Sequence, residues 1–221
     1  MGNPGPNQVE LTGHFGSDLT HALSAWTSTS RELNPAKEGR VGDLLKMLAE
    51  NDHHSVFEKS YLQFLLTVDT ASHVHLLKHR IGVSINGESA RYKELKDDKY
   101  YMPVDWPEEE RVAYAAHVER ALQEYHVCLI RLVEGGMNRK RAKESARFYL
   151  PFGNQIVLDV SFNFRSFAHF LTLRYSMHAQ KEIRELAREM LLLVSQTGKF
   201  DRTLRAFGLV FEDGTLCEPF K

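Results

Sequence analysis

The side chains best suited to chemistry are cations and hydrogen-bond donors in a few short stretches. Lys78, His79 and Arg80 precede a polar, irregular segment running from Ser84 through Glu88, Ser89, Ala90 and Arg91 to Tyr92, and Arg147 ends a basic helical stretch. Asn163, Arg165 and His169 stand where an alternating stretch gives way to a helical one, with Arg174 farther along. The exit of a strand into a helix start is a place where backbone N–H groups and side-chain donors converge on an anion. Hydroxyls beside a guanidinium, as at Ser89, Arg91 and Tyr92, are the donor set for a phosphate and a heterocycle. Arg165 and His169 share a helical face, whereas Arg174 falls roughly 180° away at ~3.6 residues per turn. Each of these taken alone is a solvated charge by default. Together they point to an anionic, nucleotide-like ligand held between segments far apart in sequence.

Other chemistries find less support. Gly82-Val-Ser-Ile-Asn-Gly87-Glu88-Ser89 nearly matches the phosphate loop GxxxxGK[ST], but Glu88 stands where a lysine must reach the phosphates. No GxGxxG occurs, so a Rossmann dinucleotide site is not expected. His53-His54 with Glu58, and His178 with Glu182, lack HExxH spacing, and no metal is expected. Cys128 and Cys217 are far apart without a CxxC pair, which supports neither a disulfide framework nor a thiolate zinc site. Cys128, near His126 in a helical stretch, reads as a small core residue.

The elements that must carry these residues follow from periodicity. Residues 1–17, rich in Gly, Pro and Asn, read as an extended lead-in, and residues 18–221 as one domain. Short helices are expected over Asp18–Trp26 and Val41–Asn51. In Ser60–Asp69, Leu62, Phe64, Leu66 and Val68 alternate as in a strand. Ala71, Val74, Leu77 and Ile81 then have helical spacing, so a helix is expected to deliver Lys78–Arg80 before Gly82. Pro107 followed by three Glu starts a long helix that stops at Gly135-Gly136, and Asn138 caps a basic helix ending before Pro151. A second alternating strand covers Gln155–Asn163, and residues 164 to about 197 are helical with a break near Ser176. This order predicts an α+β fold: a central antiparallel sheet with flanking helices in a single domain.

Composition sets the outer bounds. The 221 residues carry 28 Lys+Arg against 29 Asp+Glu, a net charge of -1, which excludes a broadly basic coat for nucleic acid. No run approaches the ~18 apolar residues of a membrane span, and no signal-peptide pattern opens the chain. No membrane or nucleic-acid partner is expected, and the localisation expected is cytoplasmic.

The same residues carry a resemblance to the flavin-dependent thymidylate synthases, a family unrelated to those that use a cysteine nucleophile. His53-His-Ser55-Val-Phe57-Glu58 is similar to the family's His-x-[ST]-x-Phe-Glu segment. Lys78-His79-Arg80 through Ser89-Ala90-Arg91-Tyr92 resembles the signature RHR-x7-S followed by Arg-Tyr. The third block runs from Ala146-Arg147 to Pro151, then through Asn163, Arg165, His169 and Arg174 to Glu182.

The resemblance implies a homotetramer with FAD where subunits meet and deoxyuridine monophosphate (dUMP) stacked on the flavin. It implies NADPH as reductant, methylenetetrahydrofolate as carbon donor and thymidine monophosphate as product. Carried over by position, His53, Ser55, Glu58, Lys78, His79, Arg80, Asn163, Arg165 and His169 contact FAD. His75, Lys78, Glu88, Ser89, Ala90, Arg91, Arg147 and Arg174 form the nucleotide pocket, with Arg174 at the pyrimidine edge, stabilising negative charge that develops on N3. This chain departs from the pattern in four places. Lys78 replaces Arg; eight residues, not seven, separate Arg80 from Ser89, the extra one falling in Ile81–Val83. The family's acidic residue aligns with Gly87 unless a bulge brings in Glu88, and Ala-Arg-x-Ser survives only as Ala25-Trp26-Thr27-Ser28. A related flavin-dependent pyrimidine nucleotide alkylase or hydroxymethylase, and a noncatalytic flavin- or nucleotide-binding regulator, are the alternatives.

Overall fold

The computed structural model describes residues 2–89, 93–94 and 98–221. In chain order these form β1 (Asn3–Gly5), β2 (Gln8–Phe15), α1 (Asp18–Trp26), α2 (Pro35–Gly39), α3 (Val41–Glu50), a 3-10 turn over His54–Lys59, β3 (Tyr61–Asp69) and α4 (Thr70–Leu76). They continue with β4 (Val83–Gly87), β5 (Lys99–Tyr101), α5 (Glu108–Glu134), α6 (Arg139–Ala146), a 3-10 turn over Arg147–Tyr149, β6 (Gln155–Phe162), α7 (Phe164–Arg174), α8 (Lys181–Gln196) and α9 (Asp201–Ala206). The fold is α+β, with an antiparallel sheet of order β2-β3-β6-β4 and helices around it, while β1 and β5 pair in parallel. The central strands β3 and β6 are the two whose alternation is plain in the sequence. Leu62, Phe64, Leu66 and Val68 are fully buried, as are Leu158 and Val160.

Contacts divide the chain into two compact units, one of Met1–Gln8, Leu66–Leu77 and Asn86–Leu158, the other of Val9–Leu65, Lys78–Ile85 and Asp159–Lys221. In the first, α5 buries a narrow seam of Val118, Leu122, Tyr125 and Leu129. Tyr125 and Leu129 pack with Ala142 and Ala146 of α6, and Val118 and Leu122 pack with Tyr100. Asn138 caps α6 by accepting from Lys140 N–H at 2.9 Å. Cys128 is half-buried beside the Tyr125 cluster.

The second unit is built on aromatic rings. Phe162, Phe164, Phe167 and Phe170 are all buried, Phe164 lies against Phe200 and Phe207, and Phe57 meets Phe207 edge-on at 4.8 Å. Ring pairs of this kind add about 0.5–1.5 kcal/mol each beyond the area they bury. His21 sits fully buried among Phe57, Phe164 and Phe200, one ring nitrogen 2.9 Å from Ser60 Oγ and the other 3.0 Å from Thr203 Oγ1. Cys217 is buried here and free, and burial pushes its thiol pKa up.

Several local expectations change. Residues 1–17 contain two strands, and β2 pairs with β3 at a sheet edge. The helix from Thr70 ends at Leu76 rather than continuing to Ile81, because Leu77 and Ile81 face solvent instead of extending the buried face. The polar segment beyond Gly82 is irregular only in sequence: Val83–Gly87 is strand β4, held by pairing to β6 and not by an apolar face. The break near Ser176 is real, with α7 ending at Arg174 and α8 starting at Lys181. Among the described residues, no helix is long and apolar enough to cross a membrane, and no group of three or more His, Cys, Asp or Glu is placed to hold a metal ion.

Candidate functional site

Helix α7 begins directly where β6 ends. Asn163 is extended, and its side-chain oxygen accepts from Ser166 N–H at 2.8 Å, the usual helix N-cap. Two further bonds stitch this helix start to the turn after Arg80. Asn163 N–H donates to the Gly82 carbonyl at 3.1 Å, and the Ser166 hydroxyl donates to the Ile81 carbonyl at 2.7 Å. Gly82 has φ +66, and a Cβ there would lie 2.2 Å from Ser166 Oγ and 2.4 Å from Asn163 Nδ2. Only glycine lets the chain pass so close in that conformation. The turn at Ile81 and Gly82 is thus anchored to α7.

That turn and the face of α7 border a cleft of about 810 Å³. Lys78, Arg80, Arg165 and Arg174 line it with His54, His79 and His169, and among the described residues Glu58 is the carboxylate that faces them. Arg165 Nη1 donates to Glu58 Oε1 at 2.6 Å, an ion pair that ties α7 to the 3-10 turn and, being half exposed, is worth ~0–1 kcal/mol. Arg174 Nε donates to His79 Nε2 at 3.0 Å. His79 is buried, packed edge-on against Phe170 with ring centroids 5.0 Å apart. Burial lowers the Arg174 pKa from its ordinary value, although a guanidinium stays charged at neutral pH. Apolar groups complete the wall: Ile81, 88% exposed, with Leu173, Ala168 and Phe207. A cationic, partly apolar cleft of this kind suits a flat, phosphate-bearing ligand.

A second cavity, of about 470 Å³, lies in the first unit. Glu88, Ser89, Lys93 and Arg147 supply its polar groups, and Phe148, Leu150, Pro151, Phe152 and Ile156 much of its apolar surface. Glu88 leaves β4 beside β6: its N–H donates to the Val157 carbonyl at 2.9 Å, and its Oε2 accepts from Val157 N–H at 3.0 Å. Its other oxygen pairs with Lys93 Nζ. Gly87 is pressed against β6, so that a Cβ would lie 2.6 Å from Leu158 Cδ2. Glu88, and not position 87, is therefore the acidic group of this cavity. Phe148 and Phe152 are 83% and 70% exposed, open to a planar ring or another protein surface.

Of the residues expected at FAD, Glu58, Lys78, His79, Arg80, Asn163, Arg165 and His169 line the first cleft. His53 and Ser55 are exposed and do not line it, whereas His54 between them does. Of those expected at the nucleotide, Glu88, Ser89 and Arg147 line the second cavity, while Lys78 and Arg174 line the first. His75 is half-buried on α4 and lines neither; Ala90 and Arg91 lie outside the described residues. The sequence reading missed His54, Lys93, Phe148, Phe152 and Phe207. Lys93 had a signal, a cation just past Arg91-Tyr92, but Phe207 reaches the cleft only through packing of the α9 end onto Phe57 and Phe164.

A family model described as thymidylate synthase complementing protein matches residues 10–197. The chain belongs to the flavin-dependent thymidylate synthase family. Within that family, the flavin-dependent thymidylate synthase of Mycobacterium avium strain 104 is 32% identical over 199 residues, covering 85% of this chain and 74% of that one. The protein of that name from Pseudothermotoga lettingae is 29% identical over 186 residues, covering 81% and 80%. Among solved structures, a UMP/dUMP methylase, PolB of Streptomyces cacaoi, bound with 5-Br dUMP, superposes with TM-score 0.79 at 27% identity, covering 94% of this chain and 97% of that chain. Its structure bound with 5-Br UMP gives 0.76.

Proposed function

We propose that this protein is a flavin-dependent thymidylate synthase that methylates dUMP to thymidine monophosphate, with methylenetetrahydrofolate as carbon donor and NADPH as reductant. The observation that carries the reading is the cationic cleft at the α7 start, which gathers seven of the residues aligned with the family's flavin contacts. The donor set fits FAD. Lys78, Arg80 and Arg165 are the cations for a pyrophosphate, the α7 N-terminus adds backbone donors and positive potential, and Ile81, Leu173 and Phe207 offer an apolar wall to a ring. When bound, FAD supplies the hydride transfer.

This chain's own side chains bind and polarise. Arg147 and Ser89 hold the nucleotide phosphate, Phe148 and Phe152 exclude water from the ring, and Glu88 accepts from a sugar hydroxyl. Arg174 places a fixed positive charge at the pyrimidine edge, where negative charge develops as the ring is activated. Ser89 serves binding of the nucleotide, not covalent catalysis. Self-association as a homotetramer, with FAD at subunit interfaces, brings cavities of different copies to one ligand. The deciding experiment is the absorbance spectrum of purified protein, its bleaching by NADPH with and without dUMP, and the mass of the product. Colourless protein that takes up no FAD would sink the reading.

A second reading has its own support: the structural neighbour is described as acting on UMP as well as dUMP. Lys78 and the lengthened turn are where this chain departs from the pattern, and competition between UMP and dUMP with product analysis separates a strict thymidylate synthase from a broader pyrimidine nucleotide methylase.

A further inference from the structure

We infer that His79 is a positioning residue for Arg174, holding the guanidinium in one orientation through its Nε2. The inference rests on the proposed place of Arg174 at the pyrimidine, and it gives His79 a role distinct from flavin contact. The geometry is specific. Arg174 Nε–H donates to His79 Nε2 at 3.0 Å, so the imidazole must be neutral, with its lone pair on Nε2 and its proton on Nδ1. The ring itself cannot swing: it is 8% exposed, edge-on to Phe170 at 5.0 Å, with the His169 ring centroid 6.4 Å away. Arg174 is the last residue of α7, on the end of a long flexible side chain.

A bond at Nε, the inner corner of the guanidinium plane, orients the whole plane; a contact at one terminal nitrogen would leave it free to pivot. The buried ring therefore converts a mobile cation into a preorganised one, the condition under which a charge stabilises a developing anion with little reorganisation. The chain places His79 between two cations, Lys78 and Arg80, that line the same cleft.

The test combines His79→Leu, which fills the space without an acceptor, His79→Gln, whose amide oxygen can still accept, Arg174→Ala and the His79→Leu/Arg174→Ala double variant. Long-range ¹H–¹⁵N NMR of the histidine ring, without ligand, is expected to show the Nδ1–H form of His79 in the parent protein and a changed signal in Arg174→Ala. With FAD loaded, His79→Leu is expected to lower dUMP turnover roughly 10²-fold, as does Arg174→Ala, with the double variant no worse and His79→Gln largely restored. FAD content is measured for each variant, and turnover is compared per bound flavin. An Nε2–H tautomer in the parent protein overturns the inference whether or not the protein is active. So do losses that multiply in the double variant, or a His79→Leu defect cured by added FAD. Failure of the parent protein to methylate any pyrimidine nucleotide would instead count against the proposed function, and the tautomer would still decide the role of His79.

Discussion

Arg174 and Lys93 occupy different cavities and carry different expectations. On the proposed function, Arg174→Ala removes the cation at the pyrimidine edge, and turnover is expected to fall roughly 10²–10³-fold while FAD is retained; stopped-flow turnover and flavin absorbance check this. Lys93→Ala removes a cation from the cavity of Ser89 and Arg147, and is expected to raise the KM for the nucleotide about tenfold with kcat little changed. His21 makes a prediction about stability. Burial depresses its pKa to about 4 from 6.5, so the unfolded chain binds the proton more tightly than the folded one. Its contribution is therefore complete above pH 6.5 and is lost as pH falls from there toward 4. The loss is roughly 2 kcal/mol by pH 5 and about 3 kcal/mol at the limit. Urea unfolding at pH 7.5 and pH 5 measures it, and the gap should shrink in His21→Leu.

At the scale of elements, the turn at Gly82 and the start of α7 behave as one piece. Gly82→Ala forces a side chain onto Ser166 Oγ and Asn163 Nδ2 at a positive φ, so a lower melting temperature and weaker FAD retention are expected together. Asn163→Ala deletes the cap at a cost of about 1 kcal/mol and loosens the same turn; thermal melts with and without FAD check both variants. The legibility of the sequence follows the same physics. β3 and β6 announce themselves because each buries alternate apolar residues, and α5 because Pro107 and three Glu open it. β4 does not, since its residues are mostly exposed and hydrogen bonds to a neighbouring strand hold it. Residue types marked the cationic groups, but their division between two cavities depends on tertiary packing that no local pattern records.

For the whole molecule, a net charge of -1 conceals a cleft whose described lining sets Lys78, Arg80, Arg165 and Arg174 against one carboxylate. Retention of an anionic cofactor there should weaken as salt rises, which equilibrium dialysis of FAD at increasing ionic strength would show. If the proposed assembly is correct, light scattering gives a mass of four chains. Neither cavity contains a thiol. Cys128 is half-buried against the α5–α6 cluster, and Cys217 is buried with its thiolate disfavoured. Chemistry arranged in this way owes nothing to the redox state of sulfur. Alkylating agents and mild oxidants that silence cysteine-dependent catalysts are expected to leave its turnover near the untreated value.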